Sequence, residues 1–452
     1  MKKAAFVLAL VMLLSCLPGI AWAQEDAGGA GTLPSEEEAV YIRSAEDWTA
    51  YAKDHEAGTA TKTTLVLAED IDLGELSVFL GSTSKKAFTG TIYGNGHKIS
   101  YTANADSGAA ALILYAKNVM ISGLQVDAKI TATSGQCGAF ISQVSSGTLT
   151  MTDCKATGSI TFTGTPSSSG TGGLVGSCSA ATMTNCTNEV KITFTSSSGK
   201  YVGGFIGKAT NNLTLEKCIN KGDIINSSAS GSSAGAVGGL VGYVKGRYCK
   251  AITLTDCANS AAIQSPNTDN YCIGGLLGHM DGASRGKMAI SDCFNIGTVA
   301  GTKGAGGLVG YSAMPTEITN SYNAGSVTTK NVKYGGGIAY KFNTSIQLTN
   351  VYNRGTLTPA QNNSLYCEAV GAETRNNCIS LSGVANYITN NKAAAPANVT
   401  KMTEKELKSQ TALTKLGDAF QAGPDGYPIL KWEASGGDDI EADRAKAIEQ
   451  LE

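Results

Sequence analysis

Gly274-Gly275-Leu276-Leu277-Gly278, followed by Met288-Ala289-Ile290-Ser291-Asp292-Cys293-Phe294-Asn295-Ile296-Gly297-Thr298-Val299, is the stretch whose reading decides the fold, because the chain repeats it. The glycine signature recurs at Gly172, Gly203, Gly238 and Gly306, and more loosely at Gly138 and Gly335, at intervals of 29 to 36 residues. Each copy leads to an anchor 14 to 19 residues on, at Cys154, Cys186, Cys218, Cys257, Cys293, Ser321 and Val351. Self-similarity of this period marks a solenoid.

Around the anchor the pattern alternates. Apolar residues stand five and three before it, as Leu213 and Leu215 before Cys218, and another stands six after it, as Ile224. That period of two predicts short strands with one buried face. Asn two after the anchor, from Asn188 to Asn353, is expected to supply a turn, since Asn tolerates the left-handed conformation. The glycine signature is expected to form a third strand, with glycine allowing close backbone approach. Three short strands per repeat and no helical pattern describe an all-β, right-handed parallel β-helix of roughly nine coils, about 40–45 Å long. Equivalent residues then stack, so the cysteines form one file and the asparagines another.

The ends read as caps. Ser44-Ala45-Glu46-Asp47 opens a helix to about His55, set over the first strand to protect the open edge. Thr64–Leu67 reads as a strand, Asp70 and Asp72 as turn residues, and Phe88, Gly90 and Ile92 alternate as a strand before the Gly94-Asn95-Gly96 turn. The segments Ala110–Leu114 and Val119–Ile130 form an imperfect first copy, with Gly123 in register with Cys154, and a degenerate coil continues at Cys378. Thr403-Glu404-Lys405-Glu406 is a capping box opening a helix to about Leu416. Phe420, Tyr427, Pro428, Ile429, Leu430 and Trp432 are expected to plug the last coil.

Outside this body, residues 1–23 have the form of a secretory signal: Lys2-Lys3, an apolar run Ala4 to Leu14, then Ala21-Trp22-Ala23. The rival reading is a lipoprotein signal with a lipid on Cys16 of Leu13-Leu14-Ser15-Cys16. Residues 24–38 form an acidic, Gly-rich linker and 434–452 a polar tail whose Asp438–Leu451 part has helical potential. The β-helix with its caps spans 39–433. After the signal, the sequence holds no second membrane segment.

With 35 Lys+Arg against 37 Asp+Glu, the net charge of −2 makes nucleic acid a poor partner. Of 12 cysteines, eleven remain beyond Cys16. Ser321 and Val351 in the cysteine file favour reduced packing residues, with inter-coil disulfides as the alternative. Three histidines, His55, His97 and His279, give no zinc spacing, and no cofactor is implied.

The Gly-Gly-Leu-Val-Gly signature, with a trailing Asn-x-Gly-x-Val at Asn295 to Val299 and Asn323 to Val327, resembles the GLUG repeat of bacterial exported and cell-surface proteins, over residues 138 to 357. The resemblance implies a secreted or surface-held recognition or adhesion module. The alternative is a carbohydrate-active enzyme of the β-helix type, a polysaccharide lyase or hydrolase. That chemistry needs paired carboxylates or a bound cation. Asp153, Asp256 and Asp292 share their position with Asn185, Asn320 and Asn350, which indicates a turn role instead.

Two adjacent copies, at Gly238 and Gly274, carry the longest interval to the anchor, 19 residues. Their loops hold Tyr243, Lys245, Arg247 and Tyr248, and His279, Asp281, Arg285 and Lys287. Loops on a rigid rod are where binding resides, and Tyr with Arg and Lys suits sugars or anionic groups. This edge is the expected contact for a glycan or an extracellular protein, presented by a monomer.

Overall fold

The computed structural model describes residues 33–105, 108–164, 170–195, 200–226, 235–265, 270–282, 286–330, 334–358, 365–369, 371–381 and 398–435. The signal segment with Cys16, the tail beyond residue 435 and Arg285 lie outside the described residues. Glu36–Glu452 forms one compact unit, and the residues before it form another. Among the described residues no helix is long and apolar enough to cross a membrane.

The body is a parallel β-solenoid. Nine successive parallel pairings carry its first sheet from Phe88–Tyr93 to Tyr366–Ala369. Two further strands, Val40–Ile42 and Thr64–Leu67, extend it at the N-terminal end. A second sheet stacks the segments after the anchors, such as Lys191–Phe194 on Lys155–Phe162. A third, narrower sheet stacks Thr171–Gly172, Tyr201–Gly203, Gly235–Gly238, Asn270–Gly274, Ala305–Gly306 and Gly335–Gly336.

The glycine signature is the corner between the third and first sheets, not a strand of its own. Its first glycine ends a third-sheet strand and its fourth residue begins a first-sheet strand, as Gly203 and Ile206 do. A Cβ on Gly203 would lie 2.1 Å from the Ile206 carbonyl oxygen, so only glycine closes this corner. A Cβ on Gly239 would meet the Gly275 carbonyl at 1.9 Å and Asn259 Oδ1 at 2.6 Å. The motif therefore couples its second glycine to the asparagine of the same coil.

That asparagine does not make the turn. The left-handed residue stands one before the anchor, at Asp153, Asn185, Lys217, Asp256, Asp292, Asn320 and Asn350, with φ between 47° and 54°. The six Asp and Asn residues named from the sequence thus have the turn role expected of them. Asn188, Asn220, Asn259, Asn295, Asn323 and Asn353 lie instead in buried second-sheet strands. Each Nδ2 donates to the next Oδ1 at 2.7 to 2.8 Å, giving five bonds in file. Identical amides stacked at the strand spacing satisfy one another, which makes an interior polar row tolerable.

The cysteine file beside it is as the spacing predicts. Cys154, Cys186, Cys218, Cys257 and Cys293 are buried and free. The Cys257 amide donates to Cys293 Sγ, and the Cys293 amide to Ser321 Oγ. Val351 pairs into register with Cys378, continuing the file. At the other end the register corrects the sequence reading by one residue. Ser122 pairs with Thr152 and Gln125 with Lys155, so Leu124 precedes Cys154 in the file, while Gly123 shares the left-handed turn of Asp153.

Helix α1, Ala45–Ala57, caps the N-terminal end. Ser44 Oγ accepts from the Asp47 amide, and Trp48 and Tyr51 enter the core beside Ile42 and Leu65. At the other end the single expected helix is broken at Lys408 and Ser409 into α2, Glu404–Leu407, and α3, Gln410–Leu416, with the capping box at Thr403 and Glu406 formed. The aromatic segment after them, ending in α4, Lys431–Ser435, does not plug the last coil. It lies along the outside of the second sheet in a separate apolar cluster with Phe294, Tyr322, Tyr352 and Met402. Trp432 Nε1 donates to the Asp292 carbonyl at 2.8 Å, and Tyr322 Oη donates to the buried Glu433 carboxylate at 2.8 Å. Outward aromatics one after the anchor supply the surface it covers.

Candidate functional site

Parallel pairing lines up, on the outer face of the first sheet, Ser177, Lys208, Tyr243, His279, Tyr311 and Lys341. From Lys208 to Tyr311 each is the residue following the third glycine of its signature, so the repeat itself fixes the file. Tyr201, two residues before the preceding glycine pair, adds its ring. Tyr201 stacks on Tyr243 with centroids 4.2 Å apart and planes 19° apart. Tyr243 lies 5.5 Å from His279, and His279 4.6 Å from Tyr311. Lys208 Nζ sits 5.4 Å from the Tyr201 ring centroid, in cation–π range. Apart from the buried Ser177, these side chains are half-buried.

Electrostatics follow from that half-burial. Tyr243 Oη donates to Asp281 Oδ2 at 3.1 Å. Burial, then the Asp281 charge, raise the Tyr243 hydroxyl above its ordinary range, and the same two causes raise Tyr201. Burial lowers His279, with Asp281 pulling the other way. Burial also lowers Lys208, and the ammonium groups of Lys245 and Lys200 add to the effect.

His279 Nδ1 also lies 3.2 Å from Cys272 Sγ, a contact the sequence reading did not single out. Burial raises the Cys272 thiol and lowers the imidazole, so both are neutral near pH 7. A thiolate nucleophile needs the opposite arrangement.

Of the residues expected at this edge, the structure joins Tyr243 and His279 directly, and the charge of Lys245 acts on Lys208 of the same file. Arg247 and Tyr248 sit further along the loop, the guanidinium 5.5 Å from the Tyr248 ring, with Tyr248 65% exposed. That loop is pinned by the Lys250 and Ala251 amides donating to Asn212 Oδ1. Lys287 is drawn away into an ion pair with Glu317. The strands that flank the two long loops are neighbours, since Val244 pairs with Met280 and Ala251 with Lys287. Tyr201, Lys208, Tyr311 and Lys341 escaped the sequence reading, which weighed loop length over the position after the third glycine.

The other acidic candidates fall elsewhere. Asp70 accepts from the Lys98 amide at 2.9 Å and contacts His97, and Asp72 accepts from the Gly74 amide at 3.0 Å. Asp256 and Asp292 are adjacent in the turn file. Burial raises both, and the Asp292 charge raises Asp256 further. Among the described residues no group of three or more His, Cys, Asp or Glu side chains converges as a metal site.

Comparison with known proteins matches residues 198–234 to the GLUG motif. A search of curated proteins returns no match. Among solved structures, a crystal structure of a candidate immunoglobulin A1 protease from Bacteroides ovatus aligns at 14% identity with a TM-score of 0.32, over 88% of this chain and 94% of that one. The chain thus carries the GLUG motif, set within a parallel β-solenoid.

Proposed function

We propose that the protein is an exported, non-catalytic β-helix scaffold for surface recognition or adhesion, binding a glycan or an extracellular protein along the strip centred on Tyr243. The observation that carries the reading is the outward file of rings, Tyr201, Tyr243, His279 and Tyr311, held half-exposed on a rigid sheet. A rigid row of amphipathic side chains binds with little ordering cost. Export is supported by the signal-like residues 1–23, and the mature N-terminus tests the route: Gln24 indicates secretion, a lipidated Cys16 a membrane tether. A glycan array with the purified protein tests the binding. We expect specific binding that Tyr243→Ala abolishes, and an array and a panel of matrix proteins without a single binder would overturn the proposal.

The enzyme reading retains one observation, the adjacent Asp256 and Asp292 with raised pKa values. It predicts reducing or unsaturated ends released from a polysaccharide panel, lost in Asp292→Asn.

A further inference from the structure

We propose that the strip takes an acidic glycan, a polymer rich in hydroxyls and bearing carboxylate or sulfate groups; this deepens the recognition reading above and rests on it. Three features of the strip point there. From Lys208 the file runs over three rings, Tyr243, His279 and Tyr311, the last of them three rungs or about 14 Å along at the strand spacing, and then to Lys341, whose register partner is Glu368. An extended chain lying along the solenoid axis meets the Lys208 cation and then a row of polar ring tips.

The second feature is uncompensated charge. The charges of Lys200 and Lys245 both act on Lys208, and among the described residues none of the three has an ion-pair partner. Elsewhere on the solenoid Lys155 pairs with Glu189 and Lys287 with Glu317. Three ammonium groups without ion-pair partners, set against a single carboxylate, favour an anion. Asp281 is the opposing charge at the strip, and it is engaged by the Tyr243 hydroxyl.

The third feature separates a glycan from a nucleic acid. Neighbouring rings occupy each other's faces, as the 4.2 Å stack of Tyr201 on Tyr243 does, which leaves edges and polar tips to the solvent. Base recognition on a single strand needs free faces. Sugar hydroxyls need edge donors and acceptors, and Tyr, His and Lys tips provide them.

The test measures binding of the full chain to polygalacturonate, chondroitin sulfate, uncharged dextran and a single-stranded DNA oligonucleotide, over a range of sodium chloride. The acidic polysaccharides are expected to bind, more weakly as salt screens the contact. Lys208→Gln with Lys245→Gln is expected to weaken binding about tenfold, two modest charge contacts together. Asp281→Asn, which removes the opposing charge, is expected to tighten it, and unchanged thermal transitions show that both variants are folded. Dextran binding as well as the acidic polymers, or indifference to the lysine pair, overturns the acidic-ligand inference and leaves the recognition reading standing. Tighter binding of the oligonucleotide overturns it in favour of another polyanion. Failure of every polymer here and on the array overturns both.

Discussion

Asn259 shows how one side chain holds two coils. It accepts from Asn220, and its Nδ2 is shared between Asn295 Oδ1 at 2.7 Å and the Ala261 carbonyl at 2.9 Å, with its side chain fully buried. Asn259→Ala leaves those buried groups unpaired, and denaturant unfolding is expected to show a loss of about 2–4 kcal/mol. Cys257→Ser, two residues before it in the same coil, is expected to cost no more than about 1 kcal/mol, because Ser321 already fills that file and accepts the Cys293 amide. Equal losses would contradict the assignment of the asparagine file as the polar spine. Asp292 gives a prediction of opposite sign. Its folded pKa is raised by burial, so ionisation penalises the native state above that pKa, and the penalty vanishes below the unfolded value of about 3.9. Asp292→Asn keeps the acceptor for Asn320 Nδ2 and adds a donor, as Asn185 donates to Asp153. A thermal melt at pH 7 is expected to show stabilisation of up to about 1 kcal/mol that disappears by pH 4. For His279 the depressed folded pKa means stability present above about pH 6.5 and lost as the pH falls through the folded value. Wild type is therefore expected to lose stability relative to His279→Gln between pH 7 and pH 5.

At the level of elements, the C-terminal segment acts as a clamp across coils far apart in sequence. Trp432 reaches Asp292 and stacks near Phe294, and Glu433 takes the Tyr322 hydroxyl, while Tyr352 donates to the Pro428 carbonyl. Trp432→Ala is expected to cost about 2–3 kcal/mol, below the range for a fully buried tryptophan because Trp432 is only partly buried. Hydrogen exchange is expected to rise in the coils from Phe294 to Tyr352 and to stay unchanged around Ile141–Phe162, since each coil contacts only its neighbours. A uniform rise would mean that the clamp stabilises the whole solenoid. The sequence showed the bulky segment but not where it docks, because contacts between positions more than 70 residues apart carry no period. Local capping was legible for the opposite reason: Ser44 and Thr403 bond within one helical turn.

Across the whole molecule, a parallel solenoid turns sequence period directly into contact, which is why the cysteine and asparagine files are legible in the sequence. The errors have physical sources. Asparagine forms turns and also forms buried amide rows, so the pattern suggested a turn at both positions, whereas only the residue before the anchor is left-handed. The strip was half legible: Tyr243 and His279 were named for their long loops, whereas Tyr201 and Tyr311 follow from register, which places side chains of successive coils on one line. Register is therefore the claim on which both the fold and the strip depend, and engineered cross-links test it most directly. Thr253 and Ala289, 36 residues apart, are partners on the half-exposed outer face of the first sheet, and Ser291 is two residues out of register with Thr253. On mild oxidation Thr253→Cys with Ala289→Cys should form a disulfide mapped by mass spectrometry, and Thr253→Cys with Ser291→Cys should not, because disulfide reach falls off beyond a Cα separation of about 7 Å. Equal yields from the two pairs, or none from the first, would contradict the account.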